Sequence, residues 1–251
     1  MIGLRRMWVL TRRELAGYFF SPLAWVVLTL FLLVQGYSFY IYVELVNRPD
    51  APRGTVMQFF FGGTFLYWLF VIFIVSVITM RLVAEERRSG TVELLLTAPV
   101  TEAQVVLGKY IAAVLFYAFL WLPTVAYAGV MASVALSPLA WGPVAAAYLG
   151  TLTVGAACIA VGLLCSVLCR NQIVAAVLTF TSLSLLLLFG ALEAVVSRPG
   201  LRRVVEYLNL FAQMEEFASG IVDTRRLVFH FTLVLLCLTA AARALERRKW
   251  R

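Results

Sequence analysis

Histidine, acids within the apolar runs and nucleotide-binding glycine motifs are nearly or wholly missing from this 251-residue sequence, and each gap removes a class of chemistry. The single histidine, His230, lies in an apolar run. Alone it cannot build a metal site, so its expected role is helix packing or a hydrogen bond across a bundle. No GxxxxGK[ST] phosphate loop is present. Gly108–Lys109 lacks both the upstream glycine and the following Ser or Thr, so any use of ATP needs a site on a partner polypeptide. Cys158, Cys165, Cys169 and Cys237 are spaced neither as a disulfide framework nor as CxxC, and read as small apolar packing residues. Charged residues are only 14% of the chain and nearly vanish from the apolar runs. That argues against an ion-coupled carrier, whose proton relay needs carboxylates near mid-membrane, and a membrane enzyme lacks its catalytic constellation. The exception is Glu193, a candidate functional carboxylate by its position. Close to the end of its run, it can equally reach lipid headgroups or pair with Arg198. There is no internal repeat, and no soluble stretch is long enough to form its own core.

What is present is hydrophobic surface, 63% of residues, gathered into six runs. They cover about residues 23–43, 57–80, 105–130, 144–168, 173–195 and 227–245, each near the ~20 residues that cross a bilayer as helix. The fold class expected is all-α: one polytopic membrane domain over 1–251 with six transmembrane helices. Alternating the spans from a cytoplasmic N-terminus puts 14 Lys and Arg against 6 acids inside, and 7 against 7 outside. The positive-inside bias selects this orientation, with both termini cytoplasmic. The basic balance therefore serves topology and anionic lipid rather than nucleic acid. The first run resembles a signal sequence in its basic flank, but its length and the lack of a small-x-small site predict a retained anchor.

The segment 81–103 is the least generic passage. Glu85, Glu86, Arg87 and Arg88 extend the second helix as a charged stub, which Gly90 can break. Thr91 can cap a short helix with Glu93 in its first turn, and Val92, Leu94, Leu95 and Leu96 make it more apolar than so short a helix needs. Pro99 ends it. Thr101 with Gln104 three positions later predicts a capping box for the third long helix. Composition leaves two readings: a helix that enters a groove on a soluble partner, or a loop whose leucines dip into lipid.

Residues 1–20 predict an amphipathic interface helix. Leu4, Trp8, Leu15 and Phe19 share an arc of roughly 60°, while Arg5, Arg12 and Arg13 lie off it, and a simple basic anchor is the other reading. Residues 198–226 carry a second amphipathic pattern, in Leu201, Val204, Val205, Leu208, Phe211 and Ala212, followed by Glu215, Glu216, Phe217 and Gly220. A re-entrant or interface-lying helix is expected, with Gly220 turning the chain back; it either lines an exit route or caps the bundle.

RREL…YFFSPLAW at residues 12–25, ITMRLVAEERRSGTVELLLTAPVTEAQVVLGKY at 78–110 and NLFAQMEEFASGIVDTRRLVF at 209–229 resemble the permease subunits of type 2 ABC exporters. The nearest branch is that of gliding-motility-associated and nitrous-oxide-reductase-maturation permeases. The resemblance implies the type 2 ABC exporter permease fold, in a bacterial cytoplasmic (inner) membrane. It implies pairing with a second copy or a paralogue, two ABC ATPase subunits that hold ATP and Mg, and, as in the gliding-motility type, an auxiliary membrane protein. No cofactor is expected on this chain, and no catalytic or metal-binding residue.

The resemblance also makes residues 90–98 the coupling helix, with Glu85, Glu86 and Glu93 matching the family's acids, and about 4–20 and 201–220 its interface and re-entrant elements. A pathway between two permeases would have Phe61, Tyr67 and Phe70 of span two in its wall and would suit an amphipathic or hydrophobic substrate. The competing expectations are ATPase-coupled assembly or mechanical work without cargo, and gradient-driven transport.

Overall fold

The computed structural model describes residues 2–50, 54–88, 101–134, 139–192 and 199–249; Glu193 and residues 90–96 of the expected coupling helix lie outside them. Among the described residues there are helices and turns and no strand. In chain order the helices are α1 (Ile2–Phe20), α2 (Pro22–Val46), α3 (Val56–Phe60), α4 (Phe65–Thr79), α5 (Ala84–Arg88) and α6 (Glu102–Trp121). After them come α7 (Val125–Val134), α8 (Trp141–Leu168), α9 (Gln172–Ala191), α10 (Pro199–Leu208), α11 (Leu210–Ala218) and α12 (Thr224–Lys249). Six helical stretches are long and apolar enough to cross a membrane. Over an 18-residue apolar window of each, the second, third and fourth are 61, 56 and 67% buried, against 22, 28 and 22% for the first, fifth and sixth, so the middle three form the core.

Helix α8 is the centre of the bundle and packs against α4, α6, α9, α11 and α12. In lipid, apolar burial gives helices little reason to associate, and close van der Waals packing does the work instead. Three glycines of α8 provide it. Phe217 of α11 lies over Gly150, with its Cγ 2.6 Å from where a Cβ would stand; Tyr117 of α6 occupies the notch at Gly155, and Thr79 of α4 that at Gly162.

The boundaries differ from the sequence expectation in four places, each for a local reason. The second run begins as the separate helix α3, capped reciprocally by Thr55 and Gln58. The chain breaks at Gly62, whose φ of +87° suits glycine; Met214 fills the space its side chain would need, and Trp68 Nε1 donates to its carbonyl at 3.2 Å. The third run is divided by a 3-10 turn at Leu122–Thr124, where Pro123 cannot continue the α-helical bonding of α6 into α7. The outer amphipathic pattern is two helices, because the Asn209 side chain accepts from Phe211 N and Ala212 N and starts α11 afresh.

The fourth difference is the face of α1. Its inward side carries Leu10, Thr11, Glu14, Leu15, Tyr18 and Phe19, whereas Trp8 is 61% exposed. Leu15 and Phe19 keep their expected place, but polar partners on α6 and α4 turn Glu14 and Tyr18 inward and leave Trp8 outside. The side chain of Leu4 is not among those described. The capping box at Thr101 and Gln104 forms as expected.

Gly155→Ala puts a methyl group into the Tyr117 ring and should cost about 1–3 kcal/mol by overpacking. Gly129→Ala, where nothing lies within 4 Å of the new Cβ, is the matched control. Thermal melting of the detergent-solubilised protein, followed by size-exclusion fluorescence, should show a lowered midpoint for the first variant alone.

Candidate functional site

The ends of α1, α5 and α6 meet around one buried cation. Lys109 lies on the same side of α6 as Val105, Ala112, Ala113 and Phe116, so the helix carries its stem into the interior, where it is 1% exposed. Its Nζ is 2.8 Å from Glu86 Oε1 of α5 and 3.1 Å from Glu14 Oε2 of α1. A buried ammonium is tolerable only with such partners, and removing the charge on one side leaves the other uncompensated. Close approach of α1 is permitted by Gly108, whose missing Cβ would stand 3.0 Å from Leu10 Cδ2.

Further bonds brace the cluster. Tyr18 donates its phenol to the Ile78 carbonyl at 3.0 Å and stacks on Phe116 at 4.8 Å between ring centres. Burial, reinforced by the Glu14 charge and opposed by Arg81, holds that phenol well above its ordinary pKa, so it remains a donor. Arg81 Nη1 donates to Ser21 Oγ at 3.0 Å, and Arg81 Nε stands 3.8 Å from Glu85 Oε2. At the start of α5, Val83 N and Ala84 N both donate to the buried Ser166 Oγ of α8, at 3.1 and 3.2 Å. The stub of span two is thereby held to α8 through backbone donors and to α6 through Glu86.

The opposite end of the bundle has its own polar network. Arg226 of α12 makes a two-pronged contact with Glu216, Nε to Oε2 at 3.1 Å and Nη2 to Oε1 at 2.9 Å. Gln213 Nε2 donates to the Tyr207 carbonyl at 2.7 Å, which leaves its Oε1 to accept from His230 Nε2 at 2.9 Å. The lone histidine thus takes the cross-bundle hydrogen bond expected of it. Gly220, at φ +88°, ends α11 and returns the chain to α12. The hairpin of α10 and α11 is tied to the last span by these contacts and to α4 by Phe211 against Trp68, 5.2 Å between ring centres.

Of the site residues read from the sequence, Glu85 and Glu86 lie in the first cluster, while Gly90, Thr91, Val92, Glu93, Leu94, Leu95 and Leu96 are outside the described residues. Arg12 and Arg13 are exposed. Phe61 and Tyr67 do not stand at an open wall. Phe61 is fully buried against Phe60 and Tyr148, and Tyr67 is buried with its hydroxyl 3.0 Å from Thr151 Oγ1. The break at Gly62 turns these rings into the protomer, and Phe70 is half-buried against the same core. The exposed aromatic side of α4 is instead Phe65 and Phe73, with Leu69 between them. Lys109, Glu14 and Ser166 were not singled out as functional. For Lys109 a signal existed: a cation at i+4 from Val105 and i−4 from Ala113 sits on an apolar helical face.

A family model described as ABC-2 family transporter protein matches residues 29–214, most of the chain, from within α2 to within α11. The chain belongs to the ABC-2 transporter family. No curated protein matches it. The matched region of this ABC-2 chain contains Glu86, Lys109 and Ser166, whereas α1 with Glu14 lies before it. The ion cluster therefore fastens an element outside the matched region to the heart of the ABC-2 domain. In this permease component of an ABC transporter the cluster makes a firm junction: three helices joined through one ammonium.

Lys109→Met should destabilise the protein by about 3–5 kcal/mol, since two carboxylates would then face each other without a cation. Adding Glu14→Gln and Glu86→Gln should recover most of the loss. A melting curve for the triple variant as poor as that of the single one would show that the cluster is not held by charge. At the other end, Arg226→Gln should raise hydrogen exchange across residues 199–218 and leave residues 102–121 unchanged.

Proposed function

We propose that this permease is the membrane subunit of an ATP-driven exporter in a bacterial cytoplasmic membrane, acting with a second copy or paralogue and two ABC ATPases that carry ATP and Mg. In this reading residues 90–98, flanked by Glu85 and Glu86, dock on the ATPase as the coupling helix. The observation that carries it is the Glu86–Lys109 contact. Segment 89–100 leaves α5 and returns to α6, and one 2.8 Å ion pair joins the two sides of that excursion. A push on the segment would therefore move α5 and α6 as a unit, with α1 following through Glu14. An interfacial loop that only rests in lipid has no use for such a clamp.

The exposed faces favour a pathway between two permeases. The first and fifth spans are mostly not buried, and the second presents Phe65, Leu69 and Phe73 along one side. Residues at i, i+4 and i+8 keep an apolar stripe continuous over two turns. A second copy covering these faces would enclose an apolar, aromatic wall, suited to an amphipathic or hydrophobic cargo. An auxiliary membrane protein has its place on surfaces this dimer leaves open. The gliding-motility and nitrous-oxide-reductase-maturation permeases remain the proposed branch.

Isolation of the tagged protein from native membranes should yield two nucleotide-binding subunits per two permeases. Glu93→Lys or Leu95→Asp should abolish that association while leaving membrane insertion normal, and substrate-linked ATP turnover should fall at least about tenfold with lost coupling. Normal turnover in the variants would sink the coupling assignment. An active particle without an ATPase would overturn the exporter reading.

A further inference from the structure

A cavity of about 390 Å³ lies between the elbow joining α1 to α2 and the far end of α4. Its lining changes character from one end to the other. Leu23, Ala24 and Val27 of α2, with Val77 and Ile78 of α4 and Phe116 of α6, make one end apolar. Arg13 of α1, Ser21 between α1 and α2, and Arg81 and Glu85 beyond the end of α4 make the other end polar. The change occurs where the apolar runs stop, which is where a bilayer passes from chains to headgroups. A ligand that matches both ends is an amphiphile lying parallel to the spans.

The polar end narrows the choice of headgroup. Lys109, at the back, is already met by Glu14 and Glu86. Arg81 uses Nη1 on Ser21, and its buried Nε makes no hydrogen bond among the described residues but faces Glu85 Oε2 at 3.8 Å. Arg13, 65% exposed by side chain, stands 3.7 Å from Glu14, and Glu85, about half exposed, 3.8 Å from Arg81; both pairs are long enough for a headgroup to insert between the partners. A guanidinium presents a planar set of donors matched to phosphate oxygens, and a carboxylate accepts from a primary ammonium. Acids and bases in the lining balance, so a plain anion meets little net field. A head bearing a phosphate and an ammonium is matched at both groups.

The space itself has a sequence cause. Gly17 lines the cavity from the interior of α1, and a Cβ there would have nothing within 4 Å. Glycine weakens a helix interior, and here no neighbouring helix needs the close approach it allows. The missing side chain leaves that part of the lining open.

We propose that this cavity binds one zwitterionic aminophospholipid, with its phosphate at Arg81 and Arg13, its ammonium at Glu85, and the upper part of its chains along Ala24, Val27 and Val77. The site shares Glu85 with the flank of the proposed coupling segment, but lipid retention is read on the permease without an ATPase, so its failure and that of the exporter reading are distinguishable.

The full-length protein in mild detergent would be titrated with palmitoyl-oleoyl phosphatidylethanolamine, phosphatidylglycerol or phosphatidylcholine, and retained lipid counted by native mass spectrometry. One phosphatidylethanolamine should be held at least about tenfold more tightly than either other lipid, the difference expected from one charge-assisted contact. Gly17→Trp, which fills the cavity from an open position, should remove that preference at an unchanged melting temperature. Arg81→Gln should weaken retention about tenfold, and Arg243→Gln on α12 should not. Equal retention of the three lipids, a preference for phosphatidylglycerol, or undiminished retention by folded Gly17→Trp protein would each overturn the proposal. Competition by glycerophosphoethanolamine as effective as that of the intact lipid would also overturn it, because the apolar end would then contribute nothing.

Discussion

Close packing against α8 is the constraint from which the other placements follow. A bundle in lipid cannot rely on expelling water from between its helices, so their separation is set by how near the backbones can come. Gly150, Gly155 and Gly162 let Phe217, Tyr117 and Thr79 reach the α8 backbone at three heights. Those contacts locate α11, α6 and α4. Ser166, one turn after Gly162, then binds the backbone at the start of α5. Because α5 and α6 are both referred to α8, Glu86 arrives opposite Lys109. The ion cluster is thus a product of helix packing rather than a cause of it.

The polar groups are distributed to suit that frame. The apolar middle is crossed by few hydrogen bonds between side chains, such as Tyr67 with Thr151. Networks of several members occur at the two ends: Glu14, Lys109 and Glu86 at one, and Gln213, His230, Glu216 and Arg226 at the other. The first network joins helices distant in sequence and the second joins α11 to the next helix, α12, in both cases by groups that are costly to leave unpaired, which makes the junctions firm without adding apolar area. For a permease component this arrangement means that motion at either end moves several helices together. The end bearing α1, α5 and α6 adjoins segment 89–100, and the other carries the hairpin of α10 and α11.

Local chemistry determined a large share of this protein. Six apolar runs must become helices in a bilayer, since every backbone donor and acceptor needs an internal partner there. Thr101 with Gln104 starts a helix through contacts within four residues, and Gly220 permits a turn whatever surrounds it. The resemblance of residues 78–110 pointed to the ABC-2 family without any coordinates, because it is a long motif of charges and apolar residues in fixed order. His230 was legible as a packing or hydrogen-bonding residue, since a lone histidine in an apolar run has few other uses, and the structure selects the hydrogen bond, to Gln213.

Only tertiary structure decided which face of each helix is inward. Periodicity put Trp8 on the apolar side of α1, yet Glu14 and Tyr18 turn inward because their partners, Lys109 and the Ile78 carbonyl, lie 60 or more residues away. Phe61 and Tyr67 looked like pathway residues by composition, and the bend at Gly62, held by Met214 from another helix, sends them into the core. In an almost uniformly apolar span, hydropathy cannot distinguish lipid-facing from helix-facing positions. Helix starts and turns depend on neighbours in the chain, and so can be read from it. Inward faces, ion pairs and cavities depend on which helices meet, and that is set by backbone approach at glycines far apart in sequence.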